Sequence, residues 1–471
     1  MADLDPKKLF ARLAAEGAVI ASLAADSRRC APGVAFFAYP GEKADGRSHV
    51  GDALGRGAAA VLWEEDGFAW RDAWRVPNAP VRGLRQEAGR LAHEFYGRPS
   101  EALWTCGITG TNGKTSCSHW LAALLKAQGV RTGVIGTLGA GFRGALSGAL
   151  NTTPDALEVH RLLKAMRDER AGAAAMEVSS HGLVQGRVNG VRFACALFTN
   201  LSHDHLDYHG SMEAYAEAKA RLFEMPGLGA AVINIDDPVG ARIAARTKVR
   251  TITYGFSDKA DLRAASAVRI ESKWGNAEAN INAVGRFNIA NALGVLGCLI
   301  VYGIPFKDAV PLLASLPAVP GRMERVADAP LVVIDYAHTP DALEKVLGAL
   351  RTAAEERGGK LAVVFGAGGD RDATKRPVMG AVATRLADRV LATSDNPRSE
   401  DPSEILRQIG VAESEVDRAR AIEKIVLEAA AKDVVLIAGK GHEAYQEIAG
   451  ERLPFSDAQV ARAAVAKRGR T

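Results

Sequence analysis

The stretch Gly107-Ile-Thr-Gly-Thr-Asn-Gly-Lys-Thr-Ser116 carries the strongest chemical signal in the chain. It follows the apolar Ala102-Leu-Trp104 and leads into the helical pattern of Ser118 to Lys126, so the order is strand, glycine-rich loop, helix. Backbone N–H groups of such a loop cradle phosphate, Lys114 neutralises its charge, and Thr115 offers a hydroxyl to magnesium. The first glycine falls at 107 rather than 108, one place from the usual phosphate-loop spacing. The prediction is a nucleoside triphosphate site.

A second group, His203-x-His205-x-Asp207-x-His209, comes close to a zinc hydrolase pattern, since imidazole and carboxylate are good zinc ligands. One extra residue separates Asp207 from His209, and a phosphate loop has no place in that chemistry. The preferred reading makes His205 a ligand or orienter beside magnesium and phosphate and leaves the other histidines to capping or packing. Lys219, in Tyr215-Ala-Glu-Ala-Lys-Ala-Arg-Leu-Phe223, reads on its own as a solvated helix lysine. Three further polar clusters, Asp370-Arg371, Asp395-Asn-Pro-Arg398 and Gly439-Lys-Gly-His-Glu443, each follow an apolar run and so belong at strand ends facing one crevice. Gly366-Ala-Gly-Gly-Asp-Arg371 invites a dinucleotide reading, but that fingerprint needs glycine at 371.

The elements that must position these residues come from the apolar runs. Ala173–Val178, Cys195–Thr199 and Ala230–Ile235 alternate with helical periods and predict a largely parallel sheet covered on both faces. Leu331–Asp335, Leu361–Phe365, Arg389–Thr393 and Asp433–Ala438, with helices over 341–357 and 418–431 between them, predict a second, doubly wound unit. Before the loop, Gly33–Ala38 and Ala58–Trp63 read as strands of a small α/β domain, with Asp26-Ser-Arg28 and Gly41 to Gly46 as turns. Pro317-Ala-Val-Pro-Gly-Arg322 reads as a linker. The expected units are therefore 1–100, 101–319 and 320–471, in keeping with the about three domains that 471 residues suggest.

Composition narrows the class. With 59 basic against 55 acidic side chains the net charge is only +4, too little for a nucleic-acid surface. Five cysteines without a C-x-x-C pair suggest neither a disulfide framework nor a cysteine zinc site, and fit a reducing cytoplasm. The N-terminus lacks a signal-peptide run, and the most apolar stretch, Ala292 to Phe306, is too short and glycine-broken to span a bilayer.

Taken in order, the motifs resemble the Mur ligase family, ATP-dependent enzymes that add amino acids to the growing peptidoglycan precursor, and in particular its diaminopimelate-adding branch. The resemblance rests on Thr109–Thr115, Asn151-Thr-Thr-Pro154, Met176–Gly182, Asp204–Gly210, Gly285–Asn291, Pro320-Gly-Arg-Met-Glu324, Asp335–Pro340 and Gly439–Glu443. It implies three α/β domains: a small UDP-sugar-binding domain, a central phosphate-loop parallel-sheet ATPase domain, and a Rossmann-like amino-acid-binding domain. It also implies ATP and magnesium, an acyl-phosphate intermediate, and the substrates UDP-N-acetylmuramoyl-L-alanyl-D-glutamate and meso-2,6-diaminopimelate. A cytoplasmic monomer without nucleic-acid or membrane partners is expected.

Carried over residue by residue, Gly110, Thr111, Asn112, Gly113, Lys114, Thr115 and Ser116 wrap the ATP phosphates, and Asn291, Arg322 and Asp335 complete the nucleotide site. Thr115 and Glu177 bind one magnesium and His205 helps bind a second; Lys219 becomes a carbamylated metal ligand, so that Lys114, Lys219 and His205 are the catalytic set. The sugar nucleotide meets Ala25, Ser27, Glu42, Lys43 and Ala44 of the first domain and Asn151, Thr152, Thr153, Ser179, Gln185 and Arg187 of the second. Asp395, Asn396, Pro397 and Arg398 match the diaminopimelate signature, with Arg398 for the distal carboxylate and Arg371, Gly439 and Glu443 as further contacts. A lysine-adding relative or a folylpolyglutamate synthase-like ligase would be expected to lack that arginine. A phosphate-loop binding module would need neither Lys219 nor Arg398. The chain departs from the family pattern at Ala140, His203 and Ala458.

Overall fold

The computed structural model describes residues 5–42, 44–148, 151–266 and 268–468. Among the described residues three α/β sheets follow one another along the chain, and a two-stranded hairpin, Tyr445–Ile448 with Glu451–Pro454, adjoins the last.

The first is a four-stranded parallel sheet in chain order, Ser22–Ala24, Val34–Ala38, Ala60–Glu64 and Asn78–Val81. Helices Pro6–Ala15 and Leu84–Phe95 cover one face, while Trp63, Phe68, Trp70 and Trp74 cluster on the other.

The second sheet has eleven strands. Its parallel centre runs Arg250–Gly255, Ala230–Asn234, Cys195–Phe198, Trp104–Thr109, Ala173–Glu177, Thr132–Gly136. The strand leading into the phosphate loop thus lies between Cys195–Phe198 and Ala173–Glu177. All three are apolar runs because helices cover both faces. One of these is Arg286–Tyr302, framed by Gly285 and by Gly303 at φ +115°, apolar on nearly every side and buried against the loop helix Lys114–Ala127. Its polar first turn, Asn288 and Asn291, faces the loop. Antiparallel strands extend both edges.

The third sheet, Glu324–Asp328, Leu331–Asp335, Val434–Ala438, Leu361–Phe365, Arg389–Thr393, Glu413–Glu415, is parallel except at its first strand. Asp401 and Asp417 cap the helices Pro402–Ile409 and Arg418–Glu428 with their carboxylates. Arg418 and Asp457 form a wholly buried ion pair, Nε to Oδ1 2.7 Å, that ties the last helix Asp457–Arg468 to this unit. Asp457 is the acid of Phe455-Ser-Asp-Ala458, so that stretch holds a structural anchor.

Cysteine spacing gave no reason to group thiols, yet the fold does so. Cys106 and Cys195 are register partners on adjacent strands, and Cys298 of the covering helix lies 3.9 Å from each sulfur. Among the described residues these are the one set of three close donors of metal-ligand type. Among the same residues no helix is long and apolar enough to cross a membrane.

Candidate active site

The phosphate loop is built as its sequence predicts. Gly110 has φ +147° and a Cβ there would stand 1.8 Å from Thr199 Oγ1; Gly113, at φ +89°, lies against the Asn291 amide. Neither position admits a side chain. The N–H groups of Thr111 and Asn112 are donated to Asn200, to its carbonyl at 2.8 Å and its Oδ1 at 3.0 Å. The Gly110 carbonyl accepts from two lysines, Lys114 at 2.8 Å and Lys219 at 2.9 Å. Past Thr111 and Asn112 the N–H groups of Gly113, Lys114, Thr115 and Ser116, at the start of a long helix, face an anion as helix-terminal donors do. In this arrangement the Gly110 carbonyl orients the two lysines, and the Thr111 and Asn112 amides tie the loop to the neighbouring strand end.

Glu177 ends the strand beside the loop and is fully buried. Thr115 donates its hydroxyl to Oε2 at 3.1 Å, and Thr137 donates both its N–H, 2.9 Å, and its hydroxyl, 3.0 Å. A buried carboxylate flanked by hydroxyls and, among the described residues, bound by no ammonium or guanidinium offers the hard oxygen donors that suit a magnesium ion. Lys219 is the opposite case. It is 1% exposed, reaches no carboxylate among the described residues, and sits over the Tyr215 ring. Burial, and then the charge of Lys114, hold its ammonium well below the ordinary lysine range. The reading of a solvated helix lysine is thereby overturned. His205 adopts φ +54° and stands 3.3 Å from the Asp204 carboxylate, at the rim of the same cavity.

That cavity, about 220 Å³, is shared by two units. The central one contributes the loop, Glu177, His205 and Asn291; the last one contributes Arg322, Asp335, Tyr336 and His338. Arg322 donates to Thr115 Oγ1 at 3.2 Å, and Asn112 donates across the junction to Asp341 at 3.2 Å. The Asp335 carboxylate accepts from the Met323 and Ala337 N–H groups and is raised by burial. A second cavity of about 1100 Å³ adjoins through Asn291 and Phe287.

On the other side of Glu177, Thr152, Thr153, Ser179, Gln185 and Arg187 form one run of contacts. Thr137 meets Thr152 at 3.0 Å; the Thr153 hydroxyl donates to the Glu177 carbonyl; the Ser179 N–H donates back to Thr153. Arg187 donates to the Thr153 carbonyl and to Gln185, and Gln185 donates to Glu42 of the first unit at 2.6 Å. Asn151 is exposed at the start of this run, and Ala25 and Ser27 lie at the turn capped by Asp26. The Ala44 carbonyl closes the Gly41 turn. Lys43 lies outside the described residues.

In the last unit the three polar clusters follow three adjacent strands, as expected. Asn396 donates to Glu443 Oε2 at 2.9 Å; Lys440, fully buried, donates to that same oxygen and to Asn396 Oδ1, both at 2.9 Å. Arg398 donates to the Gly369 carbonyl at 2.6 Å and approaches Glu447 at 3.7 Å, with φ +53°. Asp395 is buried against Gly439, Pro397 backs onto Gly369, and Arg371 stays exposed on the rim.

Family models match almost end to end: a Mur ligase family catalytic domain over residues 19–96, a Mur ligase middle domain over 108–299 and a Mur ligase glutamate ligase domain over 321–441. The chain belongs to the Mur ligase family. A UDP-N-acetylmuramoyl-L-alanyl-D-glutamate--2,6-diaminopimelate ligase from Chromobacterium violaceum is 50% identical over 96% of both chains, and one from Pseudomonas aeruginosa 48% identical over 95% of both. A solved structure of a ligase of that name matches with TM-score 0.67, 36% identity and 96% coverage of each chain. MurF from Acinetobacter baumannii, at 20% identity, TM-score 0.66 and coverage of 96% and 94%, shares the three-domain fold.

Within this Mur ligase the histidine group is not a zinc site. His203 turns toward Asp372 at 3.9 Å, His209 meets Ser180 Oγ at 2.9 Å, and His205 pairs with Asp204. Several residues at the site carried no recognised signal in the sequence: Thr137, which holds Glu177; Asn200, which holds the loop; and Lys440, which joins Asn396 to Glu443. Thr137 lies in the Gly-Thr-Leu-Gly stretch and Lys440 in the Gly-Lys-Gly-His-Glu motif, so their neighbours mark the place while the roles come from the sheet order.

Proposed function

We propose that this Mur ligase joins meso-2,6-diaminopimelate to UDP-N-acetylmuramoyl-L-alanyl-D-glutamate with cleavage of ATP. The observation that carries the reading is the shared cavity: an anion cradle and a buried carboxylate on one wall, with the buried Lys219 amine behind the cradle on the Gly110 carbonyl, and on the other wall Arg322, Asp335 and His338 of the unit that also bears Asn396, Arg398 and Glu443. The names of relatives half identical over the whole chain support it. A carboxylate acylates poorly, so the γ-phosphate passes to the D-glutamate side chain to give an acyl phosphate and ADP. The amine of the incoming amino acid then attacks the acyl carbon and phosphate leaves.

The chain's own part is positioning and charge neutralisation. The amides of Gly113 to Ser116 hold the transferring phosphoryl group, with Lys114 and Arg322 on its oxygens. Asn291 serves the nucleotide between the two cavities and Asp335 the junction. Thr115 and Glu177, with His205 at the rim, are the donors for magnesium, which when bound neutralises phosphate charge. Lys219 held as the neutral amine is the form that adds carbon dioxide, losing one proton to become a carbamate; that anionic oxygen donor belongs beside a cation, where an ammonium does not. The muramoyl dipeptide follows the run from Glu42 through Gln185, Arg187, Ser179 and Thr153 to Thr152, with Ala25, Ser27 and Asn151 at its ends. Units divided near residues 100 and 319, working as a cytoplasmic monomer, complete the reading.

Arg398 distinguishes diaminopimelate from lysine, because a guanidinium grips the distal carboxylate with two charge-assisted hydrogen bonds. The test is phosphate release with ATP, magnesium and the muramoyl dipeptide. Release is expected with meso-diaminopimelate and not with L-lysine, and kcat/KM should fall about 100-fold in Arg398→Ala, from the loss of roughly 3 kcal/mol of charged hydrogen bonding. Equal release with lysine would assign the chain to a lysine-adding ligase.

A further inference from the structure

A third cavity, of about 330 Å³, lies behind the loop helix and is lined by His119, Leu138, Arg143, Gly144, Leu146, Pro320 and His442. It belongs to no part of the site described above. Its polar lining is wholly basic. Among the described residues Arg143 has no hydrogen-bond or ion-pair partner, and no carboxylate lines the cavity. His119 is 3% exposed, and its Nε2 is buried with no partner; His442 Nδ1 is in the same state. Buried polar atoms in native proteins are nearly always satisfied, so the free Arg143 guanidinium and two unpartnered ring nitrogens around one cavity call for a polar ligand, which a protonated oxyanion, with both donor and acceptor oxygens, can be. The charges acting on both imidazoles all come from bases: Arg143 and Arg322 on His119, Arg322, His119 and Lys440 on His442. A hole of this kind attracts an anion and repels a cation.

Its place in the fold says which anion. His119 stands four residues after Thr115 on the loop helix, one turn or about 6 Å further along. Arg322 forms the partition: it donates to Thr115 on the cradle side, and its guanidinium lies 4.3 Å from the centre of the Tyr336 ring, which packs 5.5 Å from His442. Arg322 thus stands between the cradle and the cavity of His119, Arg143 and His442. We propose that this cavity is a binding site for the inorganic phosphate that the reaction releases, separate from the nucleotide cradle. The proposal rests on the ligase reading for the source of the phosphate, though not for the existence of the site.

Calorimetric titration of the full chain with inorganic phosphate, while a non-hydrolysable ATP analogue saturates the cradle, tests it directly. Phosphate should still bind under these conditions, weaken at least tenfold in Arg143→Ala, and weaken less in His119→Gln, which keeps a hydrogen-bond donor. In turnover, wild-type protein should show phosphate inhibition that excess ATP does not relieve, and Arg143→Ala should lose it. Phosphate binding abolished by the analogue, or unchanged in Arg143→Ala, overturns the proposal. A raised KM for diaminopimelate or the dipeptide in Arg143→Ala with phosphate binding intact would give the cavity to a substrate carboxylate and equally overturn it. Absence of turnover would sink the ligase reading while the titration still decided the anion site.

Discussion

Two lysines of this chain are equally buried and have opposite surroundings. Lys219, beside the phosphate loop, donates to one backbone carbonyl, faces the positive Lys114 and binds no carboxylate. Lys440, in the last unit, donates to Glu443 and to Asn396. Removing an ammonium from water costs several kcal/mol unless an opposite charge offsets it, so the partner decides the state. Lys440 joins two side chains of the last unit, one of them a carboxylate, and holds them in place. Lys219 has burial first, and then the charge of Lys114, working against its ammonium form. Burial alone makes neither a reactive group nor a structural one.

The largest expected effect tests the Lys219 side of this contrast. Lys219→Ala should lower kcat by about 1000-fold or more, the scale of losing a preorganised electrostatic group, with little change in thermal stability because no ion pair is lost. Labelling with 13C-bicarbonate should give a carbamate carbonyl resonance in wild type and none in Lys219→Arg. A resonance that persists in Lys219→Arg would break the contrast.

Lys440 should respond the other way. Lys440→Met leaves Glu443 without its buried cation, and breaking such a pair costs about 3 kcal/mol. The melting temperature should drop, and KM for diaminopimelate should rise about tenfold or more while kcat changes little, since the loss is of binding rather than of transition-state charge. The double change Lys440→Met with Glu443→Gln should recover much of the stability and none of the affinity. A stability loss without any KM change would make Lys440 structural only.

What the sequence revealed follows the same division between local and distant partners. The strands, the loop, Glu177 at its strand end and the crevice formed by Asp395–Arg398 and Gly439–Glu443 were legible, because apolar runs and polar strand ends are local patterns. The burial of Lys219 was not legible from the alanines beside it, because the helix turns this lysine toward Gly110, more than a hundred residues away in the chain. Thr137 and Asn200 became supports of the carboxylate and of the loop only because the sheet sets Thr132–Gly136 beside Ala173–Glu177 and Cys195–Phe198 beside Trp104–Thr109, strands distant in sequence. The cysteine cluster arose in the same way, from two register partners and a covering helix. The zinc pattern failed for the converse reason: close spacing in a bent segment sent its histidines in different directions.

A third buried base sharpens the comparison without touching the reaction. His160 is fully buried where the first unit meets the second; its Nε2 lies 2.9 Å from the Asn189 carbonyl, and its ring packs against His93. Like Lys219 it has a carbonyl and no carboxylate, and burial pushes it down to about 3. Since the folded value lies below the ordinary 6.5 of the unfolded chain, the unfolded state binds more protons between those limits. The stability that His160 contributes is complete above about pH 6.5 and falls as the pH drops toward 3, by about 1.4 kcal/mol per pH unit for one proton. Denaturation followed from pH 7 to pH 5 should show this slope, and His160→Gln should reduce it by one proton while leaving phosphate release at pH 8 near wild type. An unchanged slope in the variant would mean that the imidazole is already protonated in the folded protein. A carbonyl partner would then suffice to hold a buried cation, and the distinction drawn between Lys219 and Lys440 would lose its basis.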